Sequence, residues 1–270
     1  MFDLEPHGPD TYVGIGPRYP WGGLYGGQIV AQALRAAAAT IDDELTAHSL
    51  RAYFIRRGDH SEPIRYEVDR IRNGRSFATR RVVARQAVGA ILNLEASFQR
   101  TELSASVQSV EMPVVPPPAA LENSSWTGRF DRCFVPDADI DFGGRTGSGR
   151  TVGWLKVNDD LGDPDEPAAA LIHRCWLAYL SDDLATDAVV RSHPRRSESE
   201  FTEGRYTASL DHTMWFHRPL RSDRWHVHDV TCHAYVGSRG LAIGHVFADD
   251  GIHVATFAQE CLLRDPADRA

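Results

Sequence analysis

The sequence has almost no lysine. Lys156 is the only one among 270 residues, and arginine supplies the rest of the positive charge. A Schiff base or a phosphate-binding P-loop would have to use Lys156, which stands in G-W-L-K-V with no glycine-rich loop before it, so both are excluded. The net charge of −8 and the pI of about 5.8 argue against general nucleic-acid binding.

Cysteine pairs and long apolar runs are also lacking. The four cysteines form no C-x-x-C motif, so neither a zinc ribbon nor a redox pair is indicated, and a disulfide framework is not expected in a chain of this size. The first ten residues lack the charged and apolar regions of a signal peptide. No run approaches the roughly 20 apolar residues of a membrane span. These features predict a cytoplasmic protein.

The composition is that of a globular protein with a core: 42% of the residues are hydrophobic and 24% are charged. The first hundred residues predict one helix followed by an antiparallel sheet. The helix is alanine-rich and starts after Gly26 and Gly27. These glycines favour either a flexible helix start or a close-approach site for a ligand carbonyl or phosphate. The predicted strands are 48–59, 64–72, 75–86 and 90–98, with a hairpin at Asn73-Gly74.

The same order returns in the second half. Residues 166–180 predict a buried helix, and strands are predicted at 208–219, 225–235, 239–248 and 252–263. The prolines of 113–118 mark a linker, and 143–149 is a glycine-rich loop. Tyr53-Phe54-Ile55-Arg56 and Trp215-Phe216-His217-Arg218 share an aromatic-Phe-x-Arg phrase, which indicates an internal duplication.

Three polar residues of the second half stand where a core would disfavour them. Asp182 follows the buried helix, Ser209 begins a strand, and Gln259 shares its parity with Phe257, whereas the matching position of the first half is Phe98. A carboxylate, a hydroxyl and an amide around one point could hold and deprotonate a water. The alternative is a purely structural set: a helix end, a strand start and a partly exposed glutamine.

Histidine and arginine clusters leave two further alternatives. His226 and His228 share a strand face, but a metal site needs three or four converging ligands, so a metal is not predicted. The hairpin of 65–85 holds seven arginines against Glu67 and Asp69. It is either a solvated sheet face or a site for an anion such as a nucleotide phosphate.

The sequence resembles the acyl-CoA thioesterase II (TesB-like) family. The matching phrases lie mainly in 21–100 and 168–264; residues 101–165 carry little of the likeness. They are G-G-Q-I-V-A-Q-A-L (26–34), H-S-L-R-A-Y-F-I-R-R-G-D (48–59), the hairpin phrase of 63–86, A-S-F-Q (96–99), A-Y-L-S-D-D-L (178–184), S-L-D-H-T-M-W-F-H-R-P (209–219) and A-Q-E (258–260).

The resemblance implies an α+β double hotdog fold, in which two tandem helix-plus-antiparallel-sheet halves form one continuous sheet. The expected boundaries are 1–105 for the N-terminal hotdog, 106–150 for a linker and 151–270 for the C-terminal, catalytic hotdog. The implied activity is hydrolysis of acyl-CoA to fatty acid and coenzyme A. No metal or redox cofactor is implied. A homodimer or larger homo-oligomer is expected, since exposed sheet edges favour it too.

The family's catalytic Asp, Thr and Gln fall on Asp182, Ser209 and Gln259. Ser209 departs from the family's Thr but keeps the hydroxyl. His48 and Gly27 are implied as accessory residues. Arg80 and Arg81 become candidates for the phosphates of coenzyme A.

Two other functions stay open at this point. A hotdog hydratase would need its own acid–base pair, for instance around His48, and would release no thiol. A non-hydrolytic acyl-CoA-binding protein would leave its ligand intact. A serine esterase is disfavoured because G-x-S-x-G is missing.

Overall fold

The structure is a computed structural model that describes residues 1–142 and 149–269. The glycine-rich loop predicted at 143–149 therefore lies, except for Gly149, outside the described residues. The chain divides into two compact units that exchange segments. The first unit comprises 1–107, 161–180 and 213–221, and the second comprises 108–160, 181–212 and 222–270.

The first unit is an antiparallel sheet with one helix packed against it. The strand order is β1-β2-β4-β5-β6-β3. The elements in chain order are β1 (Glu5–Pro6), β2 (Thr11–Gly14), α1 (Gly26–Ala38), β3 (Leu45–Phe54), β4 (Ile64–Asn73), β5 (Phe77–Gln86) and β6 (Gly89–Arg100). Helix and hairpin lie where the sequence predicted them. Helix α1 is buried along Val30, Ala33, Leu34 and Ala37, because its small side chains allow close packing on the sheet.

The second unit repeats this plan, with strand order β13-β12-β11-β8-β7 and β9 paired to β13. Two elements, α2 and β10, contribute residues to both units. The elements are β7 (Phe130–Phe134), β8 (Arg150–Val157), α2 (Pro167–Ser181), α3 (Ala185–Ser192), α4 (Ser199–Gly204), β9 (Tyr206–Ser209), β10 (Asp211–Phe216), β11 (His226–Val236), β12 (Arg239–Ala248) and β13 (His253–Arg264). Three short 3-10 turns cover Pro118–Ala120, Asp137–Asp139 and Pro266–Arg269.

The helix that packs across the second sheet is α3, which the sequence analysis did not predict. Helix α2 occupies the predicted position 166–180, but Pro167 to Leu180 group with the first unit. Helix α3 contacts β8, β11, β12 and β13. Its packing is close: a Cβ atom on Gly240 would lie 2.3 Å from Val189. An eight-residue helix carries too little periodicity to be recognised from the sequence.

The segment 106–150 is more than a connection. It contains β7, which pairs with β8, and its apolar side chains pack on a core of the second unit around Trp154 and Phe247. The predicted strand 208–219 is likewise two strands, β9 and β10, which are separated at Leu210. Both features depend on contacts between residues far apart in the chain.

Candidate active site

Asp182, Ser209 and Gln259, the candidate catalytic residues, meet in the second unit. Ser209 Oγ donates a hydrogen bond to Asp182 Oδ1 at 2.9 Å. Gln259 Nε2 donates to the same oxygen at 2.8 Å and to Ser209 Oγ at 2.9 Å. Asp182 is 6% exposed and Gln259 is fully buried. A buried carboxylate thus accepts two hydrogen bonds, which is the arrangement that makes burial of its charge tolerable.

The sheet register explains how Ser209 and Gln259 come together. Strand β9 pairs with β13 so that Ser209 lies opposite Cys261. Gln259 is two residues from Cys261, and residues two apart on a strand point to the same face. The hydroxyl and the amide are therefore diagonal neighbours on one face of the sheet.

Asp182 reaches this face from the turn that joins α2 to α3, and its neighbour anchors the turn. Asp183 accepts hydrogen bonds from Arg132 Nη1 at 2.8 and 3.0 Å and from Trp126 Nε1 at 2.9 Å. The Arg132 and Asp183 side chains are only 13% and 6% exposed. Arg132 belongs to β7, so the segment predicted as a linker supplies the residue that holds the turn containing Asp182. Asp183 was not among the residues predicted from the sequence.

Sequence reasoning also missed His212 and Ser181. His212 is completely buried in β10. Its Nδ1 lies 2.6 Å from Gln259 Oε1, and its Nε2 lies 2.9 Å from Ser181 Oγ. A signal was present: His212 shares its strand parity with Met214 and Phe216, which are core residues.

Burial fixes the protonation of two groups beside the cluster. It lowers the pKa of His212 to about 4, although the hydrogen bond to Gln259 acts in the opposite direction. Burial, together with the smaller effect of the Asp182 charge, raises the pKa of the Cys261 thiol to about 12. At neutral pH His212 is therefore uncharged, and Cys261, whose Sγ is 3.6 Å from Gln259 Nε2, is a thiol rather than a nucleophilic thiolate.

The predicted accessory residues lie in the first unit. His48 of β3 binds Ser97 Oγ through Nε2 at 2.8 Å, and burial lowers its pKa. Gly27 lies in the first turn of α1. A Cβ atom there would lie 2.2 Å from the carbonyl oxygen of Tyr179, so close packing of α1 against α2 requires this glycine. Tyr25 Oη reinforces the contact by donating to the same oxygen at 2.8 Å.

The two candidate phosphate ligands differ from each other. Arg80 is 2% exposed, and all five of its guanidinium N–H groups are used by Thr40, Arg72, Asn73 and the carbonyl of Thr79. Arg81 is half-exposed and binds Asn93 Oδ1 at 2.8 Å. The geometry therefore gives Arg80 an internal structural role and leaves Arg81 as the more accessible cation of the pair.

His226 and His228 are fully buried neighbours whose ring centroids are 5.1 Å apart. Burial and the neighbouring His226 lower the pKa of His228 well below its usual value. Within the described ranges, no group of three or more His, Cys, Asp or Glu side chains is arranged to hold a metal ion. The helices described in the structure include none that is both long and apolar enough to cross a membrane.

Comparisons with known proteins identify the family. Two family profiles match: one described as acyl-CoA thioesterase N-terminal domain over 16–99, and one described as acyl-CoA thioesterase C-terminal domain over 108–263. Acyl-coenzyme A thioesterase 8 of Mus musculus is 32% identical over 295 aligned residues, covering 98% of this chain and 88% of the relative. The chain belongs to the acyl-CoA thioesterase family.

Solved structures agree with this thioesterase assignment. The chain is similar to the acyl-CoA thioesterase II TesB2 from Mycobacterium marinum, with 33% identity, a TM-score of 0.85 and coverage of 98% and 96% of the two chains. A hot dog fold protein of unknown function from Alicyclobacillus acidocaldarius is 20% identical with a TM-score of 0.77, covering 98% and 97%, and supports the fold alone. The thioesterase thus has the double hotdog fold that the resemblance implied.

Proposed function

We propose that this thioesterase hydrolyses acyl-CoA to a free acid and coenzyme A with a water that Asp182 activates and that Ser209 and Gln259 position. Family membership supports the reaction, and the hydrogen-bonded cluster supports the assignment of the residues. The observation that carries the assignment is the convergence of Ser209 Oγ and Gln259 Nε2 on Asp182 Oδ1, at 2.9 and 2.8 Å.

In the proposed reaction Asp182 takes a proton from the water while the water oxygen attacks the thioester carbonyl carbon. The hydroxyl and the amide hold the water in line with the carbonyl carbon. Little rotational entropy is therefore lost on the way to the transition state. The tetrahedral intermediate then collapses, the carbon–sulfur bond breaks, and the proton passes from Asp182 to the leaving thiolate. General base catalysis of this kind commonly contributes about 100- to 10,000-fold to the rate.

The cluster argues against a covalent route through sulfur. Cys261 is the cysteine beside the cluster, and its pKa of about 12 keeps it protonated at neutral pH. Ser209 points its hydroxyl proton at a carboxylate rather than at a histidine, which differs from a serine hydrolase triad. Direct attack by water is therefore the simplest chemistry for this geometry.

The cofactor requirement, the oligomeric state and the cellular location of the thioesterase are also proposals. The proposed mechanism requires no metal or redox cofactor, because the carboxylate supplies the base and water is the nucleophile. A homodimer or larger homo-oligomer is proposed from the family resemblance, and a cytoplasmic location from the sequence features that predicted it. Light scattering of the purified chain at several concentrations tests the first, and cell fractionation tests the second.

The decisive experiment measures thiol release from a series of acyl-CoA chain lengths by wild type, Asp182→Asn and the surface control Asp249→Asn. We expect Asp182→Asn to lose at least about 1000-fold in kcat, because the amide cannot accept the proton. Asp249→Asn, at an exposed turn, should match wild type. Full turnover by Asp182→Asn would overturn the proposal and make His48 the next candidate base.

Ser209 gives a graded test of the same mechanism. Ser209→Ala removes the hydroxyl and should lower kcat roughly 10- to 100-fold. Ser209→Thr keeps the hydroxyl that the family uses, so its kcat should stay within about fivefold of wild type. Equal losses in the two variants would indicate that the site requires the smaller side chain rather than the hydroxyl.

A further inference from the structure

The Gln259 amide contacts His212 on the side that faces away from Asp182. Gln259 Oε1 can only accept, so the 2.6 Å contact means that His212 Nδ1 carries the proton and donates. The imidazole is neutral at pH 7, since its pKa is about 4. A neutral imidazole has one N–H group, so Nε2 is an acceptor and Ser181 Oγ donates to it at 2.9 Å.

With the His212 proton on Nδ1, this network admits one orientation of the amide. If the Gln259 amide were rotated by 180°, its NH2 group would face the His212 Nδ1–H group and its oxygen would face the Asp182 carboxylate. Both contacts would then be repulsive. Phe257 also holds the imidazole in place, with its ring stacked on His212 at a centroid distance of 5.8 Å.

We propose that His212 is a positioning residue that, in its Nδ1–H form held by Ser181, directs the NH2 group of Gln259 toward Asp182 and Ser209. This inference rests on the proposed function, since the amide is worth directing only if it orients the attacking water. His212 touches neither the water nor the substrate in this scheme. It acts through Gln259.

The test compares three variants. His212→Leu keeps an apolar group of moderate size but no donor, and we expect kcat to fall roughly 30- to 100-fold with KM within about twofold. His212→Asn retains a side-chain N–H donor near the Nδ1 position, so it should recover at least about tenfold of that loss.

His228→Leu is the matched control, because His228 is equally buried, and both of its ring nitrogens lack hydrogen-bond partners among the described residues. Its kcat should change by less than about twofold.

A merely structural role gives a different result. His212→Leu and His212→Asn would then lose activity in proportion to their unfolded fraction, measured by thermal melts of the same samples, and asparagine would rescue nothing. That outcome overturns the inference. Unchanged kcat in His212→Leu overturns it too.

Failure of the proposed function can be separated from failure of this inference. Loss of turnover in Asp182→Asn with normal turnover in His212→Leu keeps the mechanism and removes the positioning role. If Asp182→Asn remains active, the mechanism fails, and the side-chain amide ¹⁵N and ¹H shifts of Gln259 still report on positioning. They should move in His212→Leu and stay in His228→Leu; unchanged shifts overturn the inference.

A second, independent observation concerns Arg174 of α2. Its Nε atom is buried without a hydrogen-bond partner among the described residues, and its Nη1 donates to the carbonyl oxygen of Ala170 at 3.2 Å. Burial lowers its pKa. Among the described residues, no Asp or Glu lies within ion-pair distance of it. A buried N–H of a guanidinium without a hydrogen-bond partner or a counter-charge is costly, so an anion at this position would be favoured.

The surroundings of Arg174 suit such an anion. A small cleft of the first unit is lined by Arg174, His173 and Arg218 beside six apolar residues: Pro164, Ala170, Leu177, Phe216, Pro219 and Leu220. No carboxylate belongs to this lining, which lies wholly within the described residues. Hydrogen bonds to Ser106 Oγ and the Val107 carbonyl oxygen, at 2.8 and 3.1 Å, hold Arg218 in place.

We infer that this cleft binds a phosphoryl group, which Arg174 and Arg218 together can neutralise through their planar N–H pairs. The phosphoryl group could come from the nucleotide end of coenzyme A or from free phosphate. Calorimetric titration with adenosine 3′,5′-bisphosphate and with inorganic phosphate distinguishes the two sources. Binding at least tenfold tighter for the nucleotide indicates coenzyme A, and equal binding indicates a general phosphate site.

Variants decide whether the binding occurs at this cleft. Arg174→Gln should weaken phosphoryl binding at least about tenfold, Arg174→Lys less, and the exposed control Arg129→Gln not at all. Thermal melts with and without inorganic phosphate add a second readout: the shift seen in wild type should disappear in Arg174→Gln. No saturable binding of either probe, or equal binding by Arg174→Gln, overturns the inference whatever the catalytic residues prove to be.

Discussion

The last strands of the two units are built alike and bury different side chains at corresponding positions. Phe98 of β6 lies opposite Ala78, and Gln259 of β13 lies opposite Ala242. Phe98 is 1% exposed and Gln259 is fully buried. The first unit thus fills this position with an apolar ring. The second fills it with an amide whose oxygen and nitrogen are both hydrogen-bonded.

The difference shows what a buried amide requires of the residues around it. A buried amide is tolerated only when partners satisfy it. The second unit supplies those partners from three directions: Asp182 from a turn, Ser209 from β9 and His212 from β10. The same fold position in the first unit needs none of them. Polar groups kept in a core at this expense are expected at functional sites.

Making the second unit resemble the first should give the largest effect. Gln259→Leu should lower kcat at least about 100-fold, because the water loses its amide ligand. It should also lower the free energy of unfolding by about 1–3 kcal/mol, since His212 Nδ1–H loses its acceptor and Asp182 loses a donor. Steady-state kinetics and urea unfolding measure the two effects. Phe98→Leu is the control, and kcat within fivefold of wild type for Gln259→Leu would contradict the prediction.

Making the first unit resemble the second should affect stability instead. Phe98→Gln places an amide in apolar surroundings and removes ring packing, which should cost about 3–5 kcal/mol of unfolding free energy. The turnover of the folded fraction should stay within a few-fold of wild type. Urea unfolding followed by kinetics at matched folded fraction checks this. A loss of turnover larger than the unfolded fraction would place Phe98 in the catalytic machinery.

The neighbouring strand β5 offers a comparison within the first unit. Arg80→Gln should destabilise the protein by about 2–4 kcal/mol, because several buried acceptors lose a charged donor. Arg81→Gln, at an exposed pair, should cost less than about 1 kcal/mol.

The Michaelis constant for acyl-CoA tests the phosphate role predicted for this pair. A rise in KM for Arg81→Gln, with an acyl-pantetheine substrate unaffected, would support that role. An unchanged KM in Arg81→Gln would remove it.

The smallest expected effect concerns the sheet-packing helices. Helix α1 buries neutral Gln32, which accepts a hydrogen bond from Tyr66 Oη at 2.7 Å. Helix α3 carries Asp187, whose pKa burial raises to about 6, with Asp183 adding to the rise. The folded state binds this proton more tightly than the unfolded state, so stability from Asp187 is present below about pH 4 and is lost as pH rises through 6.

Asp187→Asn should therefore be more stable than wild type by about 1–2 kcal/mol at pH 7 and similar to it near pH 4. Urea unfolding at both pH values measures the difference. A constant difference across this pH range would contradict the assignment of the raised pKa to Asp187.

Much of the fold was predictable from local patterns. The Asn73-Gly74 turn and the alternation of apolar residues placed β4, β5, β6, β12 and β13 within a few residues of their observed bounds. Elements without a strong local pattern were missed. Strands β7 and β8 and helix α3 are stabilised by packing between distant segments, which periodicity in a short window does not reveal.

The site divides in the same way. Asp182, Ser209 and Gln259 were predicted because each is a polar residue at a position where a core disfavours it, and the family resemblance assigned them a role. His212 shares the parity of the buried face, yet its contact with Gln259 depends on the pairing of β10 with β13, which are far apart in the sequence. Arg80 and Arg81 were both predicted as candidate phosphate ligands, and alternation along β5 puts their side chains on opposite faces.

By itself the sequence determined which side chains are available: a carboxylate after a helix, a hydroxyl at a strand end and an amide on a buried parity. These follow from composition, alternation and turn chemistry, which act over a few residues. The tertiary structure decided that the hydroxyl and the amide converge on one oxygen of the carboxylate. It also decided that Asp183 and Arg132 hold the turn and that His212 faces the amide. Those contacts join residues about 30 to 80 positions apart, and only the paired sheet and the packed helix bring them within hydrogen-bond distance.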